Sequence, residues 1–169
     1  MHDRPTANAH PDIPRIPASA GGLIFDDAGR LLILKPNYKQ GWTIPGGQVE
    51  GHGESPWDAC RRETLEECGL EVKHGRLVCV DFLSPRPQRE DGAARPGGVR
   101  FLFHCGTFSN KRLKAIRLQA DEIDEYRLDE MAEALARLSG PLRRRVSKSV
   151  SAKHCLYLEN GRPVRGVGR

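Results

Sequence analysis

Apolar positions come in short runs separated by turn residues. Residues 21–25 and 31–34 are two such runs, divided by Asp26-Asp27-Ala28-Gly29, a turn signal between paired strands. Residues 41–45 read as a short extended piece leading into Gly46-Gly47, and residues 77–83 predict a further strand. Over 99–105 the chain alternates, with Val99, Phe101, Phe103 and Cys105 on one side and Arg100 and His104 on the other. The period then becomes helical. Met131, Leu135 and Leu138 share a face, and Gly140-Pro141 ends that helix and starts another. In the second helix Leu142, Val146 and Val150 line one side, leaving Arg143, Arg144 and Lys148 outside. Residues 155–158 predict a short final strand. Residues 1–17 hold four prolines without any period, so they predict an extended or disordered arm, and 18–169 are expected to form a single domain. Residues 84–98, with three prolines, three glycines and five charges, predict a long functional or mobile loop.

Composition narrows the class. At 169 residues, 38% hydrophobic and 29% charged, the chain is neither collagenous, coiled-coil nor wholly disordered. No apolar run approaches the ~20 residues of a membrane span, and the charged, proline-rich start lacks the apolar centre of a secretory signal. A cytoplasmic location without membrane contact is therefore expected. The five cysteines form no C-x-x-C pair, and Cys60, Cys68, Cys79 and Cys105 sit in apolar or helical patterns. They are expected to be buried, reduced thiols and not a zinc site. Of the net charge of +5, residues 141–169 carry +7 (eight Lys/Arg against Glu159), and the preceding chain is nearly neutral. Such a tail is read as a solvated helix face, with nucleic-acid binding not expected.

The chemistry concentrates in residues 46–70, GGQVEGHGESPWDACRRETLEECGL. Ser55, Pro56 and Asp58 form a helix start and Gly69 a helix stop, predicting a helix over Pro56–Cys68. At about 100° per residue, Glu63, Glu66 and Glu67 fall within one arc of roughly 100°. Trp57, Thr64, Leu65 and Cys68 fall on the side that can face a core, and the small Ala59 and Cys60 flank the acidic strip. Three carboxylates at this spacing repel one another and call for a cation. Hard oxygen ligands of this kind suit Mg²⁺ or Mn²⁺. Alone, R-E-x-x-E-E equally describes a solvated acidic face relieved by Arg61 and Arg62.

The complete string resembles the signature of the Nudix hydrolase family, G-x5-E-x7-R-E-U-x-E-E-x-G-U with U aliphatic. Glu54 is followed by seven residues and then Arg62-Glu63, Thr64, Leu65, Glu66-Glu67, Cys68, Gly69 and Leu70. Two departures stand out. Six residues, not five, separate Gly47 from Glu54, and Thr64 replaces the usual aliphatic. The resemblance implies an α/β fold, an α/β/α sandwich with a mixed sheet and a loop–helix–loop box. It implies metal ligation by Glu63, Glu66 and Glu67 with the Gly47 carbonyl, supported by Glu54 holding Arg62. It further implies Mg²⁺-dependent (or Mn²⁺-dependent) hydrolysis of a diphosphate bond in a nucleoside diphosphate linked to another group. ADP-ribose, a nucleotide sugar and a (d)NTP-type substrate all remain open. Glu63 and Glu67 are the implied main ligands and Glu66 a further ligand or the general base; an acid in a later loop can also serve as base, and Glu122 is the candidate. Arg86, Arg89 and Arg100 are candidate substrate contacts. The implied partner is a small nucleotide, and a homodimer is the candidate assembly. The rival is a catalytically idle module that binds nucleotide or nucleic acid; such a module can lose its glutamates, whereas Glu54, Glu63, Glu66 and Glu67 are all present.

Overall fold

The computed structural model describes residues 16–85 and 97–167. Most of the expected N-terminal arm lies outside the described residues, as do Arg86 and Arg89. The sheet begins where the apolar pattern begins. Strand β1 (Ala18–Phe25) turns through Asp26–Gly29 into β2 (Leu31–Pro36). The turn holds because Asp26 Oδ1 accepts the Ala28 and Arg30 N–H groups at 3.0 and 2.8 Å, and Gly29 takes φ +80°. After β3 (Gly46–Gln48) and helix α1 (Pro56–Cys68) come β4 (Arg76–Leu83) and β5 (Gly98–Thr107). A single helical turn, α2 (Asn110–Leu113), leads to β6 (Ile123–Asp129), α3 (Met131–Arg137), α4 (Gly140–Ser149), β7 (Leu156–Glu159) and β8 (Arg162–Pro163). Residues 41–45 make only isolated bridges, Thr43 to Leu34 and Trp42 to Leu138; the regular strand starts at Gly46.

These strands form one mixed sheet in the order β6-β2-β1-β5-β4-β7-β8, with β3 paired to β1. β1 runs parallel to β5, and β4 parallel to β7; the other pairs are antiparallel. Period-two alternation sorts the strand residues into two cores. Ile24, Leu32, Leu34, Phe103 and Cys105 pack under α1, whereas Leu23, Leu31, Ile33, Leu102 and Val78 pack under α3 and α4. Helices on both faces explain why β1 and β2 read as continuous apolar runs. This is the α/β/α layering that the family resemblance implies.

Three expectations are corrected. Leu65 on α1 is exposed, because the core-facing stripe passes through Ala59, Cys60, Thr64 and Cys68 instead. Ala59 and Cys60 therefore lie under the helix in the core and do not flank the acidic strip. Buried Thr64 meets its hydroxyl's need locally, since Oγ1 donates to the Cys60 carbonyl at 2.7 Å. On α4 the basic residues are not uniformly solvated. Arg143 is exposed, Arg144 and Lys148 are half-buried, and Arg145 turns inward. Its Nη1 donates to Asp81 Oδ2 at 2.9 Å, and Asp81 is fully buried on β4. The four cysteines expected to be buried are free and buried.

Removing one partner of a buried pair leaves an uncompensated charge. Arg145→Ala is expected to destabilise the fold by about 3–5 kcal/mol. Lys153→Ala, in the exposed turn after α4, should stay within about 0.5 kcal/mol. Urea melts of the two variants check this; equal midpoints would show that the pair contributes nothing.

Candidate functional site

Helix α1 is set by its ends. Ser55 Oγ accepts the Asp58 N–H at 3.1 Å and donates to the Asp58 carboxylate at 2.6 Å, with Pro56 in the first turn. Gly69, at φ +67°, returns its N–H to the Leu65 carbonyl. Two further carbonyls of the last turn are taken by a distant loop: Arg117 N–H donates to Cys68 O at 3.0 Å and Gln119 N–H to Glu67 O at 3.2 Å. That contact draws residues 117–122 against the helix. Asn37 secures the same loop to the end of β2, its N–H donating to Glu122 O and its Nδ2 to Asp121 O. Glu122 is exposed and lines the cleft with Glu63, Glu66 and Glu67.

Glu67 is the buried member of the strip. It accepts the Gly46 N–H at 2.8 Å and has no ion-pair partner among the described residues. Burial pushes its pKa up to about 8; the Gly46 N–H opposes this, the Glu63 and Glu122 charges add to it, and Lys39 lowers it. Burial also raises Glu63, against the opposing pull of Arg62. Gly47 lies directly against the Glu63 carboxylate, and a Cβ there would displace that side chain from its present position.

Arg62 ties the strip to the loop before it. Its Nε donates to Glu54 Oε1 at 2.8 Å, Nη2 to the Gln48 carbonyl at 3.0 Å, and Nη1 to both Glu63 and Glu66 at 3.0 Å. The Glu54 bond, opposed in part by burial, raises the arginine's pKa further, while Arg62 and the Glu50 N–H hold Glu54 low. Arg61, which relieves the strip only in the solvated-face reading, turns away to the Val72 carbonyl and Asp58. The extra loop residue is absorbed in Gly51-His52-Gly53, where His52 and Gly53 take φ +66° and +89°, so Glu54 still reaches Arg62.

Among the described residues no three acidic, histidine or cysteine side chains are already gathered around one point. The reason is visible: Arg62 Nη1 stands between Glu63 and Glu66. The donor set nevertheless suits a hard divalent cation, with oxygen ligands only and a buried carboxylate that makes no ion pair among the described residues.

These groups border a cleft of about 680 Å³ that continues past Tyr38 and Lys39 to Arg100 and Arg145. Arg100 was expected from the sequence; Asn37, Lys39 and Arg145 were not. Lys39 and Asn37 carried no signal beyond a loop position. Arg145 was masked by belonging to a run of three arginines.

A model of the NUDIX domain matches residues 15–149. Over 75 residues, 43% of each chain, the protein is 36% identical to an RNA pyrophosphohydrolase of Psychrobacter cryohalolentis. Over 50 residues it is 42% identical to diphosphoinositol polyphosphate phosphohydrolase 2 of Rattus norvegicus, covering 30% of this chain and 27% of that one. The matched segments thus span less than half the length of these curated relatives. The MutT NUDIX hydrolase of Burkholderia pseudomallei shares the fold, with a TM-score of 0.59 and 24% identity over 82% of this chain and 100% of that one. The family match runs through strands on both sides of the glutamate helix and as far as α4, and on that extent the chain belongs to the Nudix family.

Proposed function

We propose that the protein is a divalent-metal-dependent hydrolase that cleaves a diphosphate bond in a nucleoside diphosphate linked to another group. The observation that carries this reading is Glu67: a buried carboxylate, raised to about 8, one helical turn from Glu63 and without an ion-pair partner among the described residues. A buried carboxylate held by one backbone N–H and no ion pair costs stability. A bound Mg²⁺ or Mn²⁺ would offset that cost.

Glu63, Glu67 and Glu66, with the Gly47 carbonyl, would hold the ion. When bound it supplies charge neutralisation of the diphosphate and acidifies water toward neutral pH. The chain's own part is positional. Glu54 fixes Arg62, and Arg62 fixes the orientation of Glu63 and Glu66. Arg62 engages one oxygen of each carboxylate, so the other oxygen of Glu63 and of Glu66 stays available to a ligand. Exposed Glu122, and Glu66 at the mouth of the strip, are the carboxylates placed to accept the proton of an attacking water. Substrates open to this chemistry include ADP-ribose, nucleotide sugars and nucleoside triphosphates.

Assays of phosphate or nucleoside monophosphate release across that panel test the reading. Glu67→Gln should lower kcat at least about tenfold, a barrier change of roughly 1.4 kcal/mol or more. Its metal-free melting temperature should hold or rise. A variant that keeps more than about a tenth of the wild-type rate removes Glu67 from the principal ligands.

Mg²⁺ or Mn²⁺ should raise the melting temperature of the wild type by mass action, and the Glu63→Gln/Glu67→Gln pair should lose that response. Equal shifts in both proteins place the ions elsewhere.

In chelator the sign of the pH dependence follows from Glu67. Its folded pKa lies above the ordinary carboxylate value of 4.5, so between about 4.5 and 8 the folded state binds the proton and the unfolded state does not. Stability should therefore fall as pH rises through that window. Melting curves at several pH values should show a shallower fall for Glu67→Gln; parallel slopes would contradict the raised pKa.

A further inference from the structure

The end of the cleft away from the glutamates has a different charge. There Arg100 on β5 and Arg145 on α4 accompany one buried carboxylate, Asp81 on β4, the register partner of Arg100. Asp81 is already satisfied: Oδ2 accepts Arg145 Nη1 at 2.9 Å and Oδ1 accepts the Gly161 N–H at 2.9 Å. Two guanidiniums against one carboxylate leave an excess positive charge. Arg100 carries it, since its Nη1 is buried with no hydrogen-bond partner among the described residues. Burial, reinforced by the Arg145 charge, draws the Arg100 pKa below its usual value.

A guanidinium offers five donors and no acceptor. This end of the cleft therefore presents donors and positive charge, and Asp81, its one acid among the described residues, is sequestered. Arg145, fixed by its bond to Asp81, is held in place before any ligand arrives, which lowers the ordering cost of binding. The strand registers give the spacing. Arg100 pairs with Ser19, and Ser19 with Gln48, whose carbonyl anchors Arg62. Two strand spacings of ~4.8 Å separate the backbones of Arg100 and Gln48 by about 10 Å. A single ligand lying in the cleft can therefore reach both ends.

We infer that Arg100 and Arg145 form a subsite for a second phosphoryl group, carried on the part of the substrate remote from the diphosphate that is hydrolysed. The inference rests on the hydrolase reading above and narrows it. The favoured substrates are nucleotides with an additional phosphoryl group, on the ribose or on the group linked through the diphosphate. Bidentate guanidinium–phosphate bonds are the recognition chemistry. Arg145 thereby passes from a tail charge to a specificity residue.

The first arm of the test needs no turnover. The full chain in chelating buffer is titrated with inorganic phosphate and followed by thermal melting. Millimolar phosphate should raise the melting temperature of the wild type, and Arg100→Gln should lose at least half of that rise. Arg100→Gln breaks no ion pair among the described residues, and its melting curve without phosphate verifies folding. Arg145 cannot be removed alone without exposing Asp81 to an unpaired state, so Asp81→Asn/Arg145→Gln is the second variant, and it should lose the response as well. The second arm compares kcat/KM for nucleotide pairs that differ by one remote phosphoryl group, such as ADP-ribose and its 2′-phosphate. At least one pair should show a preference of tenfold or more for the extra phosphoryl group in the wild type, falling below about threefold in Arg100→Gln. Phosphate responses that are equal in wild type and both variants overturn the subsite, whether or not hydrolysis occurs. Hydrolysis absent from the whole panel, with the phosphate response intact and Arg100-dependent, overturns the hydrolase reading and leaves the anion site standing. An Arg100-dependent preference for guanosine over adenosine substrates, with no phosphate response, overturns the anion subsite in favour of base-edge recognition.

Discussion

Helix α1 has to bury one stripe against the sheet while holding three carboxylates on the adjoining arc, and the arrangement around it answers that constraint. The buried stripe, Ala59, Cys60, Thr64 and Cys68, pulls the helix close enough to the sheet that Glu67 is taken out of water with it. Burial then raises Glu67, and the neighbouring glutamates raise it further. Arg62 is the protein's own counterweight, shared among Glu54, Glu63 and Glu66 and steadied by the Gln48 carbonyl. Its reach stops short of Glu67, which is why one carboxylate remains without an ion pair among the described residues.

The same helix organises its surroundings through its last turn. A helix C-terminus leaves carbonyls that need donors, and here the loop carrying Gln119 and Arg117 supplies them. Glu122 reaches the cleft as a consequence, from a position far along the chain. Backbone hydrogen bonding at a helix end thus adds a fourth acid to a strip that the helix itself supplies with three.

The cleft is electrically divided. Acids gather where α1 meets β3, and arginines gather where α4 crosses β4 and β5. The division follows from the two layers: the glutamates belong to the helix on one face of the sheet, and Arg145 to a helix on the other. The sheet edge at β3 joins the two surfaces into one cavity, so a ligand bound there meets opposite fields at its two ends.

Much of this was determined by local sequence. The caps at Ser55 and Gly69, the 3.6-residue spacing of Glu63, Glu66 and Glu67, the Asp26–Gly29 turn and the apolar alternation of β1, β2 and β5 depend on neighbours within a few positions, and they read directly as elements. Glu54 meeting Arg62 was equally legible through the family's spacing, and it survives an inserted residue because His52 and Gly53 absorb it at positive φ. Side-chain direction was less legible. Leu65 was expected in the core and is exposed, and Ala59 and Cys60 were expected beside the strip and lie in the core instead. A helical arc gives an angle but not the height of the neighbouring strand. Arg145, Lys39 and Asn37 could not be read at all. Their significance comes from pairings across 64 residues for Arg145 with Asp81 and 84 for Asn37 with Asp121. Only the packed sheet decides such contacts, because it alone sets which buried charge has a partner and which is left waiting for one.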